Sequence, residues 1–172
     1  MILATTAGET MPGSQPESPG QPGPPGTPGA DEAWLARAVA EAGRCPPSAT
    51  AFSVGAVVVG AGGTLLSTGF SRETSPADHA EEVALAKLAG SVPAGATLYS
   101  SLEPCAARAS RPRPCAELII AAGLCRVVIA WREPPLFVPG GGAGVLEAAG
   151  VTVTEIPARA GAARAPNAHL LG

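Results

Sequence analysis

The sequence predicts an α/β domain in which a mixed sheet is covered by helices. Three observations carry this expectation. Short apolar, β-branched runs alternate with segments of helical period in the order αββαβαβαβ. The first two strands are joined only by the tight turn "AGG", so they form an antiparallel hairpin. Each later strand is separated from the next by a helix, and that connection suits parallel neighbours.

The elements follow in order. Asp31 is a candidate N-cap, and Trp34, Leu35, Ala38, Val39 and Ala42 recur at helical spacing until Gly43. "SVGAVVVG" (Ser53 to Gly60) is a short apolar run, hence a buried strand, and "TLLSTGF" is its hairpin partner. "HAEEVALAKLAG" (His79 to Gly90) is a helix stopped by glycine, and "ATLYSSL" (Ala96 to Leu102) is a strand. "CAELIIAAG" (Cys115 to Gly123) repeats the helix-then-glycine pattern. "CRVVIAW", "GVLEAAG" and "VTVTEI" give a strand, a short helix and a last strand. Ahead of this domain, assigned to residues 31–157, residues 1–30 are Pro/Gly-rich. Their Gly-every-third pattern lasts three triplets, too few for a triple helix, so a disordered tail is expected. Residues 158–172 are rich in Ala, Arg and Gly and are expected to be a poorly ordered second tail.

Composition removes several function classes. Of 172 residues 46% are hydrophobic but only 3% aromatic, so the core must be built from Ala, Val, Leu and Ile. The net charge is −3 with no block of like charges, which argues against nucleic-acid or membrane-surface partners and leaves a small molecule. No apolar run reaches the ~20 residues that span a bilayer. "MILATTAGETMPG" has no basic region and too short an apolar stretch for a signal peptide, so a cytoplasmic location is expected. There, four cysteines point to metal, catalysis or burial before disulfides.

His79, Cys105 and Cys115 all fall after a strand or at a helix start, where an α/β sheet gathers its functional groups. Zinc takes thiolates and imidazoles in tetrahedral geometry, with three protein ligands when catalytic and four when structural. Glu81 lies two residues beyond His79, about 200° around a helix, so the two meet at one centre only if His79 sits at the helix mouth. The cysteines reach a second helix mouth, where the dipole favours thiolate. Each residue alone has an ordinary reading: a capping histidine, first-turn acids Glu81 and Glu82, a buried thiol. Together, His79-Ala80-Glu81 followed by Pro104-Cys105 and Pro114-Cys115 reproduce the H-x-E…P-C…C signature of zinc deaminases. In that chemistry zinc lowers the pKa of water to about 7, and one carboxylate serves as both base and acid.

Between Asp31 and Ile156 the chain resembles the cytidine deaminase superfamily. It is most similar to the pyrimidine deaminase domain of the bifunctional riboflavin-biosynthesis deaminase–reductase. The stretches "SVGAVVV", "HAEEVAL", "GATLYSSLEPCAA", "SRPRPCAELIIAAGLCRVVIA" and "VPGGGAGVLEAAGVTV" carry the likeness. The resemblance implies a three-layer α/β/α cytidine-deaminase-like fold with a mixed five-stranded sheet and a homodimer or tetramer. It implies zinc on His79, Cys105 and Cys115, Glu81 as proton shuttle, Arg111 near a substrate phosphate or ring, and the Ala80 N–H on a pyrimidine carbonyl. Departures are also visible. Ala51 stands where the family has a substrate-contacting Asn, and a family His falls near Ser71 or Arg72. The inter-cysteine segment is a residue longer than usual, the family's Asp-Pro-Asn-Pro reads "REPPLF", and no reductase domain is expected. The implied substrate is the diaminopyrimidine ribosylamino phosphate or another aminopyrimidine base, nucleoside or nucleotide. Three alternatives stay open: a cytosine-, cytidine- or deoxycytidylate-type deaminase, a structural zinc module closed by Cys45 or Cys125, and a dithiol redox protein. Arg108, Arg111 and Arg113 could meet a phosphate or be a solvated loop. Cys45 and Cys125 read as buried thiols.

Overall fold

The computed structural model describes residues 21–134 and 141–171. The valine run forms β1 (Gly55–Val59), which pairs antiparallel with β2 (Leu65–Phe70) through the expected hairpin. On its other side β1 pairs antiparallel with β3 (Thr97–Ser100), and β4 (Arg126–Ile129) and β5 (Thr152–Glu155) follow in parallel. The five-stranded order is β2-β1-β3-β4-β5. Helices α1 (Ala30–Ala42), α2 (Ala80–Ala86), α3 (Cys115–Ala121) and α4 (Gly142–Ala148) lie in the predicted intervals.

Two glycines show how the layers are arranged. A Cβ on Gly55 would lie 2.2 Å from the Ala38 carbonyl oxygen in α1, and one on Gly69 would lie 2.3 Å from the Ala80 carbonyl oxygen in α2. Gly69 pairs with Ala56, the neighbour of Gly55, and consecutive strand residues face opposite sides. Helices α1 and α2 therefore cover opposite faces, each pressed so close to the sheet that a side chain has no room. The core between the layers is aliphatic, centred on Val57, Val58, Val59, Leu98, Val127, Val128 and Ile129, all fully buried.

The same alternation divides the work of β3. Tyr99 faces α1, and its hydroxyl donates to the Asp31 carboxylate at 2.6 Å; Ser100 faces α2. The α1 helix starts two residues earlier than an Asp31 cap implies, with Gly29 (φ 76°) at the cap. Asp31 is instead an ion-pair partner of Arg126 at 2.7 Å. Burial alone would raise the Asp31 carboxyl. Hydrogen bonds from Arg126, Tyr99 and the Gly26 N–H outweigh it and hold the pKa at about 2. A carboxylate depressed in the folded state contributes stability that is present above its unfolded pKa and is lost as pH falls toward the folded one. Asp31→Asn is expected to destabilise the chain by about 2 kcal/mol at neutral pH. Denaturant melts should show the difference from the parent shrinking between the unfolded value of 3.8 and about 2.

Both tails need correction. The stretch expected to be disordered up to residue 30 is already packed from Gly23 onward, whose carbonyl accepts from Trp34 Nε1 at 2.9 Å; residues 1–20 lie outside the described residues. The segment after Pro157 is helical: a 3-10 turn (Pro157–Arg159), α5 (Ala160–Arg164), a second 3-10 turn (Ala165–Asn167) and α6 (Ala168–Leu171). Alanine favours helix, and Ala163 and Asn167 are buried against the body of the domain. That contact is non-local, so composition could not reveal it. Among the described residues no helix is long and apolar enough to cross a membrane.

Candidate active site

Sheet topology brings the site together. β1 runs antiparallel to β2 and β3, so the start of β1 lies beside the ends of β2 and β3, and β4 ends next to β3. Val54, Ser71, Leu102 and Glu133 consequently line one cavity of about 300 Å³, with His79, Glu81 and Cys105.

His79 is the N-cap of α2, with extended backbone (φ −99°, ψ 150°), which resolves the facing problem of His79 and Glu81. Its Nδ1 lies 3.6 Å from Cys105 Sγ and 3.4 Å from Cys115 Sγ. The ligand atoms of His79, Cys105 and Cys115 all fall within 4.8 Å of one another, and no other such cluster occurs among the described residues. Cys115 opens α3, and its N–H donates to Cys105 Sγ at 3.4 Å. Hydrogen bonding from the Cys115 thiol and from His79 holds Cys105 toward thiolate, whereas the bond it gives and its burial push Cys115 up. One imidazole and two converging thiols, half-buried or buried, fit a zinc ion with three protein ligands and a position toward the cavity. Neither Cys45 nor Cys125 belongs to the cluster. Cys45 is half-buried with its thiol on the Val54 carbonyl, and Cys125 is exposed rather than buried.

Glu81 is 3% exposed, and its Oε1 accepts from Ser100 Oγ at 2.6 Å. Burial raises its pKa above the ordinary value; the Ser100 bond and the positive field of His79 act in the opposite sense.

Several residues that the sequence reading passed over shape the site. Glu103, 4% exposed, accepts from the Glu133 N–H at 2.9 Å and the Ala143 N–H at 2.8 Å. It thereby pins the end of β4 and the start of α4 to the peptide before Cys105. Gly142 belongs to the same junction, where a Cβ would lie 1.6 Å from the Pro104 carbonyl oxygen. Glu133 lines the cavity with its Oε2 buried and without a hydrogen-bond partner among the described residues. Burial and the nearby Cys105, Glu81 and Glu103 charges push its carboxyl up to about 8. The position of Glu103 directly before Pro104-Cys105 was the one available signal.

The remaining predicted positions divide. Ala51 and Ser71 line the cavity, with Ser71 Oγ accepting from the Val54 N–H at 3.1 Å. Ala80 is buried in the first turn of α2, where its N–H has no intrahelical acceptor. Arg111 is held by acids at the edge of the site. It lies outside the cavity lining and pairs with Asp78 and Glu82, both at 3.2 Å, because these acids flank His79 on the adjacent element. Arg108 lines the cavity instead, its side chain 2% exposed and paired with Glu82 at 3.0 Å. Arg72 (φ 62°) follows Ser71 directly. Its guanidinium donates to the Pro46 and Phe52 carbonyls and to Ser53 Oγ.

A mixed five-stranded sheet between helices, with a His/Cys/Cys centre beside a buried glutamate, defines the zinc-binding deaminase class. The model of the cytidine and deoxycytidylate deaminase zinc-binding region matches residues 28–131, and the chain belongs to this family. The diaminohydroxyphosphoribosylamino-pyrimidine deaminase of Schizosaccharomyces pombe is 40% identical over 72% of this chain and 31% of its own length. The riboflavin biosynthesis protein RibD of Escherichia coli is 37% identical over 73% of this chain and 33% of its own. The structure of Acinetobacter baumannii RibD superposes with a TM-score of 0.68 at 32% identity, covering 80% of this chain and 38% of that one. The chain thus spans about a third of the length of these curated relatives.

Proposed function

We propose that the chain is a zinc-dependent hydrolytic deaminase of a small aminopyrimidine. The diaminopyrimidine ribosylamino phosphate of riboflavin biosynthesis is its first candidate substrate. The observation that carries this reading is Glu81, a buried carboxylate in the cavity that also holds His79 and Cys105, oriented by Ser100. His79, Cys105 and Cys115 would hold the zinc ion, which when bound would supply Lewis acidity that brings the pKa of a water near neutrality. Ser100 occupies Oε1 of Glu81 and orients the carboxylate. Oε2 takes the proton of the attacking water, passes it to the ring nitrogen and assists the amine as it leaves. Water oxygen becomes the ring carbonyl oxygen, the C–N bond breaks and ammonia carries the nitrogen away. The raised pKa makes Glu81 a stronger base than an exposed glutamate.

The Ala80 N–H serves as donor to the pyrimidine carbonyl, and Ala51 and Ser71 bound the ring. Arg111 braces Asp78 and Glu82 around His79 and remains the candidate contact for a substrate phosphate or ring. We place the catalytic unit at residues 31–157, in the cytoplasm, where four free cysteines stay reduced. A homodimer or tetramer would bring a neighbour's loops over the exposed rim at Thr50 and Ser110. The test is ammonia release by the zinc-loaded chain from the diaminopyrimidine ribosylamino phosphate, its dephosphorylated form, cytosine, cytidine and deoxycytidylate. Release from a diaminopyrimidine supports the reading. Release from cytosine, cytidine or deoxycytidylate alone moves the chain to the cytidine-type branch, and release from none refutes deamination of this class.

A further inference from the structure

We propose that Asn167, carried by the C-terminal helical segment, is a positioning residue that holds one wall of the substrate cavity in register with the metal ligands. The proposal rests on the deaminase reading and adds a part of the chain beyond the family-matched residues 28–131. Thr50, Ala51 and Phe52 form that wall, on a loop between α1 and β1 with no strand or helix of its own. A loop of this kind needs external partners to keep one conformation.

Three contacts supply them, all from the segment after β5. The Asn167 side chain, 1% exposed, accepts from the Ser53 N–H at 2.6 Å and donates to the Ser53 carbonyl at 3.0 Å. One planar amide thus satisfies both backbone groups of the residue next to Phe52, and its second N–H reaches the Ala163 carbonyl at 3.4 Å. The Arg164 guanidinium stacks 4.8 Å from the centre of the Trp131 ring, and Trp131 meets Phe52 edge-on at 5.9 Å. His169 Nε2 lies 2.7 Å from the Ser48 carbonyl oxygen, so in this contact Nε2 carries the proton. On the inner side Arg72 binds Ser53 Oγ and the Phe52 carbonyl. Ser53 is therefore gripped from two sides, by Arg72 from the end of β2 and by Asn167 from a residue 114 positions away. None of the contacts from the C-terminal segment touches His79, Cys105 or Cys115.

This separation sets the test. Asn167→Ala should raise KM for the panel's best substrate about tenfold while kcat changes less than about threefold and zinc content stays at the parent value. Asn167→Gln, which retains the amide, should recover part of the loss. Hydrogen exchange should accelerate in residues 48–54 and remain unchanged in α2. If Asn167→Ala does not fold, His169→Ala removes an exposed contact to the same loop. A KM increase of about twofold or more with faster loop exchange then supports the proposal. For either variant, an unchanged KM overturns it, even if melting temperature falls, and so does exchange that stays as slow as in the parent. Absence of ammonia release by the parent indicts the deaminase reading instead, while the exchange measurement still reports whether Asn167 holds the loop.

Discussion

Glu81→Gln lowers kcat for ammonia release by about three orders of magnitude while zinc remains bound. Glutamine has the same shape and keeps an acceptor for Ser100 Oγ, now 2.6 Å from Glu81 Oε1. It cannot receive a proton from water or return one to the ring. The variant therefore isolates proton transfer from packing and metal binding, measured as kcat beside zinc stoichiometry. The parent's pH profile supplies a second view of the same group. Its carboxyl is raised above 4.5, so activity falls as pH drops through that raised value and protonates the base. The Ser100 bond lowers the Glu81 pKa, so Ser100→Ala should move the acid limb upward. Activity of Glu81→Gln near the parent's, with zinc in place, rules out Glu81 as the proton carrier.

Cys115→Ala abolishes both zinc binding and ammonia release. Cys115 is fully buried at the start of α3 and is one of only two thiols in the cluster. One imidazole and one thiolate leave two open positions and forfeit the soft donor that selects zinc. Zinc binds the native chain and so stabilises it; at a thousandfold excess over its Kd the gain is about 4 kcal/mol. Zinc should raise the melting temperature of the chelated parent and leave that of Cys115→Ala unchanged. Cys125→Ala, at an exposed position outside the cluster, should match the parent in zinc content and rate. Zinc lost from Cys125→Ala would point to a closed four-ligand site and to the structural-module alternative.

What could be read from the sequence was local. The β-branched run of β1, the glycine stops after the helices and the hairpin turn give element order, and order with connection type gives the mixed sheet. His79, Cys105 and Cys115 stood out because metal ligands need particular donor atoms at element ends. Residues acting through long-range geometry did not stand out. Ser100 looks like any strand serine until strand alternation turns it toward Glu81. Glu103 looks like a surface acid until α4 returns to place the Ala143 N–H over it. Arg111 looked free for a substrate because Asp78 and Glu82 are distant in sequence and adjacent only in space. The order of the C-terminal segment is hidden for the same reason, since it depends on Ser53, far earlier in the chain.

On the proposed reading, one zinc ion held by His79, Cys105 and Cys115 beside Glu81 makes the chain a deaminase. Titrating chelated protein with zinc while following ammonia release from the diaminopyrimidine ribosylamino phosphate tests it most directly. The predicted result is release that is absent without metal, rises linearly with added zinc and breaks at about one ion per chain. Release undiminished in the chelated protein, or stoichiometric zinc binding with no release from this substrate or any other in the panel, contradicts it.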